Sequence, residues 1–276
     1  MNLVVQGPAL TPEQALELAR LAGSKQISRI AEHAWRIENA APADSIAPFC
    51  EQHRVDHAFV PEGRRFADLK LLAMDMDSTL ITIECIDELG DFAGKKPEIA
   101  AITAQAMRGE LDFPESLRRR VSLLQDLPVD ALERVYHERL RLTSGAEALL
   151  AACKKNGVKV LLVSGGFTFF TERLRQRLGI DYTISNTLEI ANGRLTGGLV
   201  GDVVDADAKA TKFVSVLRSL NAPREMSVAI GDGANDLKMM AQAGLSVAFH
   251  AKPVVRAQAD CAVTWSGLGA VLNLFE

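Results

Sequence analysis

Three short apolar runs, each ending in a polar tip, constrain this chain more than any other feature. Leu71-Leu72-Ala73-Met74 runs into Asp75-Met76-Asp77-Ser78-Thr79, which sets two carboxylates two residues apart. Val158–Val163 runs into Ser164-Gly165-Gly166, and Val228–Ile230 into Gly231-Asp232-Gly233-Ala234-Asn235-Asp236. Runs of this length bounded by turn residues suit strands buried on both faces. A carboxylate carried to the end of such a strand needs a metal, a donor or a proton, because an unpaired charge is costly to bury. Any one tip also reads as an ordinary turn whose acid caps the following helix. Three of them at the ends of strands in one parallel sheet would meet at the edge where open α/β sheets bind ligands.

From Lys70 onward strand and helix patterns alternate, which predicts an α/β fold, a Rossmann-like parallel sheet with helices on both faces. Strands are expected at Leu69–Met74, Val158–Val163, Tyr182–Ser185, Val228–Ile230, Ser246–Phe249 and Ala262–Thr264. Asn192-Gly193 between alternating segments predicts a hairpin over about 189–199. Ser144-Gly145-Ala146-Glu147 has capping-box spacing ahead of a helix over 148–155 that Asn156-Gly157 ends. No strand pattern falls between Leu80 and Thr143. Helix-like segments broken by Gly94, Gly109, Pro114 and Pro128 instead predict a helical cap inserted at about 81–143.

Residues 1–68 read as a separate small α+β unit ahead of a core over 69–276. Leu3-Val4-Val5 suggests a strand, and Thr11-Pro12-Glu13 a helix start with proline at its first position, closed by Gly23. Ile27–Ile37 fits either helix or strand, Ser45–Gln52 fits a helix, and Ala58–Val60 a strand. Pro61-Glu62-Gly63-Arg64-Arg65 reads as a linker. This unit carries no pattern of a nucleophile, ligand cluster or phosphate loop; His33, His53 and His57 read as surface or hydrogen-bonded side chains.

The 276 residues suffice for an α/β core plus a smaller unit. A net charge of −4 argues against a nucleic-acid partner and against a polybasic membrane surface. No signal-peptide pattern or bilayer-spanning run is present, so a cytoplasmic protein acting on a small molecule is expected. Cys50, Cys85, Cys153 and Cys261 lack metal-ligand spacing and read as reduced thiols.

Lys209 adds a further part. Asp207 reads as the N-cap of a helix carrying Phe213, Val216, Leu217 and Leu220, which puts Lys209 in its first turn. A cation there opposes the helix dipole, unless a bound anion is attracted by both. The carboxylates suit a hard cation such as Mg²⁺, which takes one or two of them together with substrate oxygens. Lysine, a serine hydroxyl and backbone amides suit a phosphoryl group. No Walker sequence is present. Hydrolysis of a phosphate monoester requires up to ~10²¹-fold acceleration, far beyond the ~10²–10⁴ of one acid–base group. An aspartate nucleophile that splits the reaction into two steps would supply part of the difference.

Asp75-Met76-Asp77-Ser78-Thr79, Ser164-Gly165-Gly166, Lys209 and the 231–236 segment together resemble the four motifs of the haloacid dehalogenase superfamily. Ser-Gly-Gly-Phe at 164–167, Gly-Asp-Gly-Ala-Asn-Asp at 231–236 and Ser116-Leu117-Arg118-Arg119-Arg120-Val121 are more specifically similar to its phosphoserine phosphatase family, from about Leu69 to the C-terminus. The resemblance implies that Asp75 attacks phosphorus and that Asp77 protonates the leaving oxygen, then deprotonates water. It implies Mg²⁺ held by the Asp75 carboxylate, the Asp77 main-chain carbonyl and the Asp232 carboxylate. Ser164, Gly165 and Lys209 would hold the phosphoryl group, with Asn235 and Asp236 orienting Lys209 and the metal shell.

In the cap, the resemblance implies that Glu84 meets the substrate ammonium and Arg120 its carboxylate, with Met107 and Phe113 walling the pocket. Plainer readings are a helix N-terminal acid for Glu84 and a solvated basic run with Arg118 and Arg119 for Arg120. The implied substrate is a small phosphorylated amino acid, O-phospho-L-serine, in the last step of serine biosynthesis. Two alternatives stay open: phosphotransfer from Asp75 to a small alcohol such as homoserine, and a non-catalytic amino-acid sensor. The N-terminal unit is similar in length and alternation to degenerate ACT-like domains, which makes a homodimer or serine binding there hypotheses.

Overall fold

A computed structural model describes residues 1–276. Residues 1–60 form β1 (Asn2–Gln6), α1 (Pro12–Leu21), β2 (Ile27–Ala31), β3 (Ala34–Ile37), α2 (Ile46–His53) and β4 (Asp56–Val60). The strands pair antiparallel in the order β2-β3-β1-β4, the split β-α-β arrangement of ferredoxin-like units. Thr11 caps α1 through a capping box with Gln14, and Pro12 holds the first helical position, as expected. The ambiguous stretch Ile27–Ile37 is the β2–β3 hairpin. It carries no clean alternation because β3 is buried along its whole length while edge strand β2 is mostly exposed.

The chain then forms β5 (Leu71–Asp75), α3 (Cys85–Phe92), α4 (Lys96–Met107), α5 (Phe113–Ser122), α6 (Asp130–Arg134) and α7 (Ala146–Asn156). After these come β6 (Lys159–Phe167), α8 (Thr168–Leu178), β7 (Tyr182–Ala191), β8 (Arg194–Val200) and α9 (Ala206–Ser219). The remainder is β9 (Ser227–Gly231), α10 (Leu237–Met240), β10 (Leu245–Phe249), α11 (Pro253–Arg256) and β11 (Cys261–Val263). The sheet order is β11-β10-β9-β5-β6-β7-β8, parallel throughout except for the β7–β8 hairpin. Alternate side chains of β5 serve opposite layers. Leu72 and Met74 join a core with Leu149 of α7, Phe170 of α8 and the cap residues Leu89 and Leu117. Leu71 and Ala73 pack with Phe213 and Val216 of α9 and Met239 of α10.

The helical insertion α3–α6 leaves after β5 and returns before α7. Its two ends pair: the Thr82 amide donates to the Arg141 carbonyl and the Thr143 amide to the Leu80 carbonyl, both at 3.0 Å. Two local expectations are corrected. The N-cap of α9 is Asp205, whose carboxylate accepts from the Ala208 amide at 2.9 Å. Asp207 lies inside the first turn and pairs with Lys238 instead. Nor does Ser144 cap α7: Gly145 takes that position with φ +81°, where a Cβ would come 2.4 Å from the Gly269 amide nitrogen. Close packing of two backbones, not a side-chain cap, selects the residue there.

The N-terminal sheet is bolted to the core. Val4, Ala58 and Val60 enter the same apolar cluster as β5 and α7. The buried Asp56 carboxylate accepts from the amides of Thr264 (2.6 Å), Trp265 (3.1 Å) and Ser266 (2.9 Å). Buried Arg36 donates to the carbonyls of Asn273 (3.0 Å) and Phe275 (2.5 Å) and to Glu276 Oε1 (3.1 Å). The stretch expected as a linker is held too: the Gly63 amide donates to Glu276 Oε1, and the Glu276 amide to the Arg64 carbonyl. All four cysteines are free and buried, and no helix is long and apolar enough to cross a membrane. Replacing Asp56 by Ala leaves three half-buried amides without their charged acceptor. It is expected to lower unfolding free energy by about 3 kcal/mol, read from urea denaturation; unchanged stability would contradict this docking.

Candidate active site

Strands β9, β5 and β6 are neighbours in the sheet, so the three polar tips emerge side by side. Asp75 is the last residue of β5. Asp77 sits in the tight turn that follows, buried, with both carboxylate oxygens occupied. Its Oδ1 accepts from the Cys85 amide at the start of α3 (2.8 Å), and its Oδ2 from the Ser164 hydroxyl (3.2 Å). Ser164 Oγ accepts in turn from the Gly166 amide at 2.8 Å. A Cβ on Gly166 would lie 2.7 Å from Asp77 Oδ2, and one on Gly165 2.7 Å from the Phe113 ring. The two glycines after Ser164 therefore let acid and cap approach the strand end.

Lys209, on the fourth residue of α9, reaches the same point from below. It has 0 % exposure, and its Nζ donates to Asp75 Oδ1 at 2.5 Å and Asp236 Oδ1 at 2.8 Å. Asp236 Oδ2 accepts from the Gly233 amide at 3.1 Å. Carboxylate oxygens of Asp75, Asp232 and Asp236 lie within 4.8 Å of one another, and the Thr79 hydroxyl donates to Asp232 at 3.4 Å.

The acids outnumber the cations, and the titration shifts follow. Burial, with Asp236, Asp232 and Asp77 close by, raises Asp75 well above the usual carboxylate range despite Lys209. Burial also raises Asp77, against its bonds from Cys85 and Ser164. Burial and the charge of Asp236 push Asp232 up to about 6. Burial works against the Lys209 ammonium, but Asp236 and Asp75 more than offset it and hold it protonated. A cluster of three hard oxygen donors carrying excess negative charge fits a divalent cation.

Above this floor lies a cavity of about 460 Å³ roofed by the cap. Asp75, Asp77, Glu84, Arg120, Gly165, Asp232 and Asn235 line it, with Met107 and Phe113 among its apolar walls. Arg120 is half-buried, while Arg118 and Arg119 are exposed and Arg119 pairs with Glu115 one turn away. Arg120 is thereby separated from the solvated run it was grouped with. Glu84 stands at the exposed rim of the cavity and accepts from the Ser78 hydroxyl at 2.7 Å; desolvation there and the Asp77 charge push it up to about 7. Ser164 and Lys209 do not line the cavity; they sit beneath its floor, bonded to the two aspartates. Asp236, and not Asn235, grips Lys209. The Cys85 amide and Lys252, which lines the cavity near Asp232, carried no sequence signal. A larger cavity of about 790 Å³ lies between the N-terminal sheet and the core, but Glu32 is its only acid.

Residues 72–241 match the haloacid dehalogenase-like hydrolase family, and residues 3–45 match a domain of unknown function (DUF4072). The chain is 54% identical over 217 residues to a phosphoserine phosphatase of Polaromonas sp. (strain JS666 / ATCC BAA-500), covering 77% of this chain and 92% of that protein. A probable phosphoserine phosphatase from Vibrio cholerae, in unliganded form, superposes with a TM-score of 0.86 at 38% identity, covering 99% of this chain and 85% of that one. A phospho-aspartyl intermediate analogue of phosphoserine phosphatase superposes with a TM-score of 0.71 at 39% identity, covering 75% and 99%. With its family model matched from β5 to α10 and these relatives aligned along the core, the chain belongs to the haloacid dehalogenase-like hydrolase family.

Proposed function

We propose that the chain is a phosphoserine phosphatase, hydrolysing O-phospho-L-serine to L-serine and inorganic phosphate at the end of serine biosynthesis. The observation that carries this reading is the meeting of Asp75, Asp77 and Asp232 at one cavity floor, with Lys209 bonded to Asp75 beneath it, under a cap that offers Glu84 and Arg120. An Asp75 oxygen attacks phosphorus while the bond to the serine oxygen breaks. Asp77, raised by burial and clamped by Cys85 and Ser164, delivers a proton to that departing oxygen. Water then attacks the aspartyl-phosphate, gives its proton to Asp77, and frees phosphate and Asp75.

The carboxylates of Asp75, Asp232 and Asp236 and the Asp77 carbonyl would hold Mg²⁺, which when bound offsets the negative charge of the phosphoryl group. Lys209 and Ser164, bonded to Asp75 and Asp77 just beneath the floor, would turn to the phosphoryl oxygens as substrate enters, and Gly165 and Asn235 shape the approach to them. Glu84 receives the substrate ammonium and Arg120 its carboxylate, which orients an ester that would otherwise swivel about its phosphate. The same reading places the enzyme in the cytoplasm, acting on a free small molecule. Residues 1–68 serve as a bracing unit on the 69–276 core, and a homodimer would form through exposed edge strand β2.

Asp75→Asn is expected to cut phosphate release from phosphoserine by at least ~10⁴-fold; normal release would refute an Asp75 nucleophile. Arg120→Ala is expected to raise KM for phosphoserine about 100-fold while sparing p-nitrophenyl phosphate. Equal losses on both would remove Arg120 from substrate recognition. Chelation by EDTA should abolish release and added Mg²⁺ restore it, with phosphate and serine formed in equal amounts whether or not homoserine is present. Activity that survives chelation would contradict the metal assignment.

A further inference from the structure

One polar group in the cavity wall has no partner. Ser116 of α5 is 1 % exposed, and its hydroxyl makes no hydrogen bond. A helical serine often returns its hydroxyl to the carbonyl four residues back, but the Asp112 carbonyl receives only the Ser116 amide, at 3.0 Å. Two other buried side-chain atoms are unpartnered, Asn2 Oδ1 and Glu88 Oε2. Neither residue lines the cavity, and Glu88 Oε2 faces Arg139 at 3.5 Å. Buried polar atoms are nearly always bonded, so this exception calls for a partner that arrives from outside.

Ser116 lines the cavity one helical turn before Arg120, on the same side of α5. The Arg120 Nε donates to the Ser116 carbonyl at 3.3 Å, which fixes the base of the guanidinium beside the serine. No other hydrogen bond occupies the guanidinium, and Asp87, also in the cavity wall, is the opposite charge with most effect on it. Two donors thus stand together at this end of the cavity: a charged fork and a hydroxyl without an acceptor. A carboxylate, with two oxygens and about four lone-pair sites, can accept from both.

We propose that Ser116 is a specificity residue whose hydroxyl donates to the substrate carboxylate beside Arg120. This inference rests on the phosphoserine reading of the site. The hydroxyl has no protein partner in the free enzyme and would be paired by a substrate carrying a carboxylate. Selection against phosphate esters without one then has two sources, the contact they fail to make and the buried hydroxyl they leave bare.

The test is Ser116→Ala assayed on O-phospho-L-serine, O-phosphoethanolamine and p-nitrophenyl phosphate, with thermal melting alongside. Phosphoethanolamine keeps the ammonium and phosphate but lacks the carboxylate. The expected result is a KM for phosphoserine raised about tenfold, kcat within twofold, and kinetics on the other two substrates unchanged. The melting temperature should hold or rise, because the variant removes an unpaired buried hydroxyl and adds a helix-favouring residue. An unchanged KM for phosphoserine would overturn the proposal, as would equal losses on phosphoserine and phosphoethanolamine. A lowered melting temperature with equal losses on all three would make Ser116 a packing residue. Should the wild-type enzyme cleave the aryl phosphate but not phosphoserine, the functional reading itself fails, a result distinct from these.

Discussion

The pairing of Lys209 with Asp75 and Asp236 is the interaction on which the rest of the site depends. Three buried acids, Asp75, Asp77 and Asp236, and a half-buried one, Asp232, meet at the ends of the neighbouring strands β5 and β9. Without a cation such a group could not stay ionised, since each buried charge loses its hydration and repels the next. Lys209 supplies one positive charge at 2.5 and 2.8 Å from two of them. That is too little to balance the cluster, and burial, with the neighbouring acids adding to it for Asp75 and Asp232, holds Asp75, Asp77 and Asp232 all high. The imbalance is the chemical reason the floor suits a divalent cation, whose charge would be needed before a phosphoryl dianion could approach these carboxylates.

Topology places these groups. Because β9, β5 and β6 are neighbours and parallel, one register carries Asp75, Ser164 and the 231–236 turn to the same edge. Helix α9 returns Lys209 to that edge from the opposite layer. The cap leaves and re-enters through a two-bond ladder at Leu80–Thr82 and Arg141–Thr143, so its helices cover the floor without interrupting the sheet. The N-terminal unit contributes no wall to this cavity. Its Asp56 and Arg36 hold the backbone between Thr264 and Glu276, which ties it to the C-terminal end of the core.

The fold was legible where one physical constraint dominates. The strands β5, β6, β9 and β10, buried along most of their length, read as apolar runs, while half-buried β7 and edge strand β11 follow from the alternation of strand and helix. Polar tips at strand ends located the site, because carboxylates are tolerated there only for a reason. What could not be read depended on tertiary contacts. Ile27–Ile37 hid its hairpin because β2 is an exposed edge. Ser144 had the letters of a capping box, but Gly145 meets the Gly269 backbone and the cap never forms. Asp205 and Asp207 are both plausible caps by type; only the helix's actual start separates them. The Cys85 amide that holds Asp77 belongs to the backbone, and no side-chain pattern announces it. Ser116 stood in a family-like segment, yet its unpaired hydroxyl is a property of packing alone.

The central claim is that Asp75 carries the phosphoryl group between serine and water. The most direct measurement is acid quenching of the enzyme within its first turnover of phosphoserine, followed by mass spectrometry of its peptides. The account predicts a phosphoryl adduct on the peptide bearing Asp75, labile at alkaline pH and turned over as fast as phosphate appears. Full turnover with an adduct on Ser164, or with none on any aspartate, would contradict it.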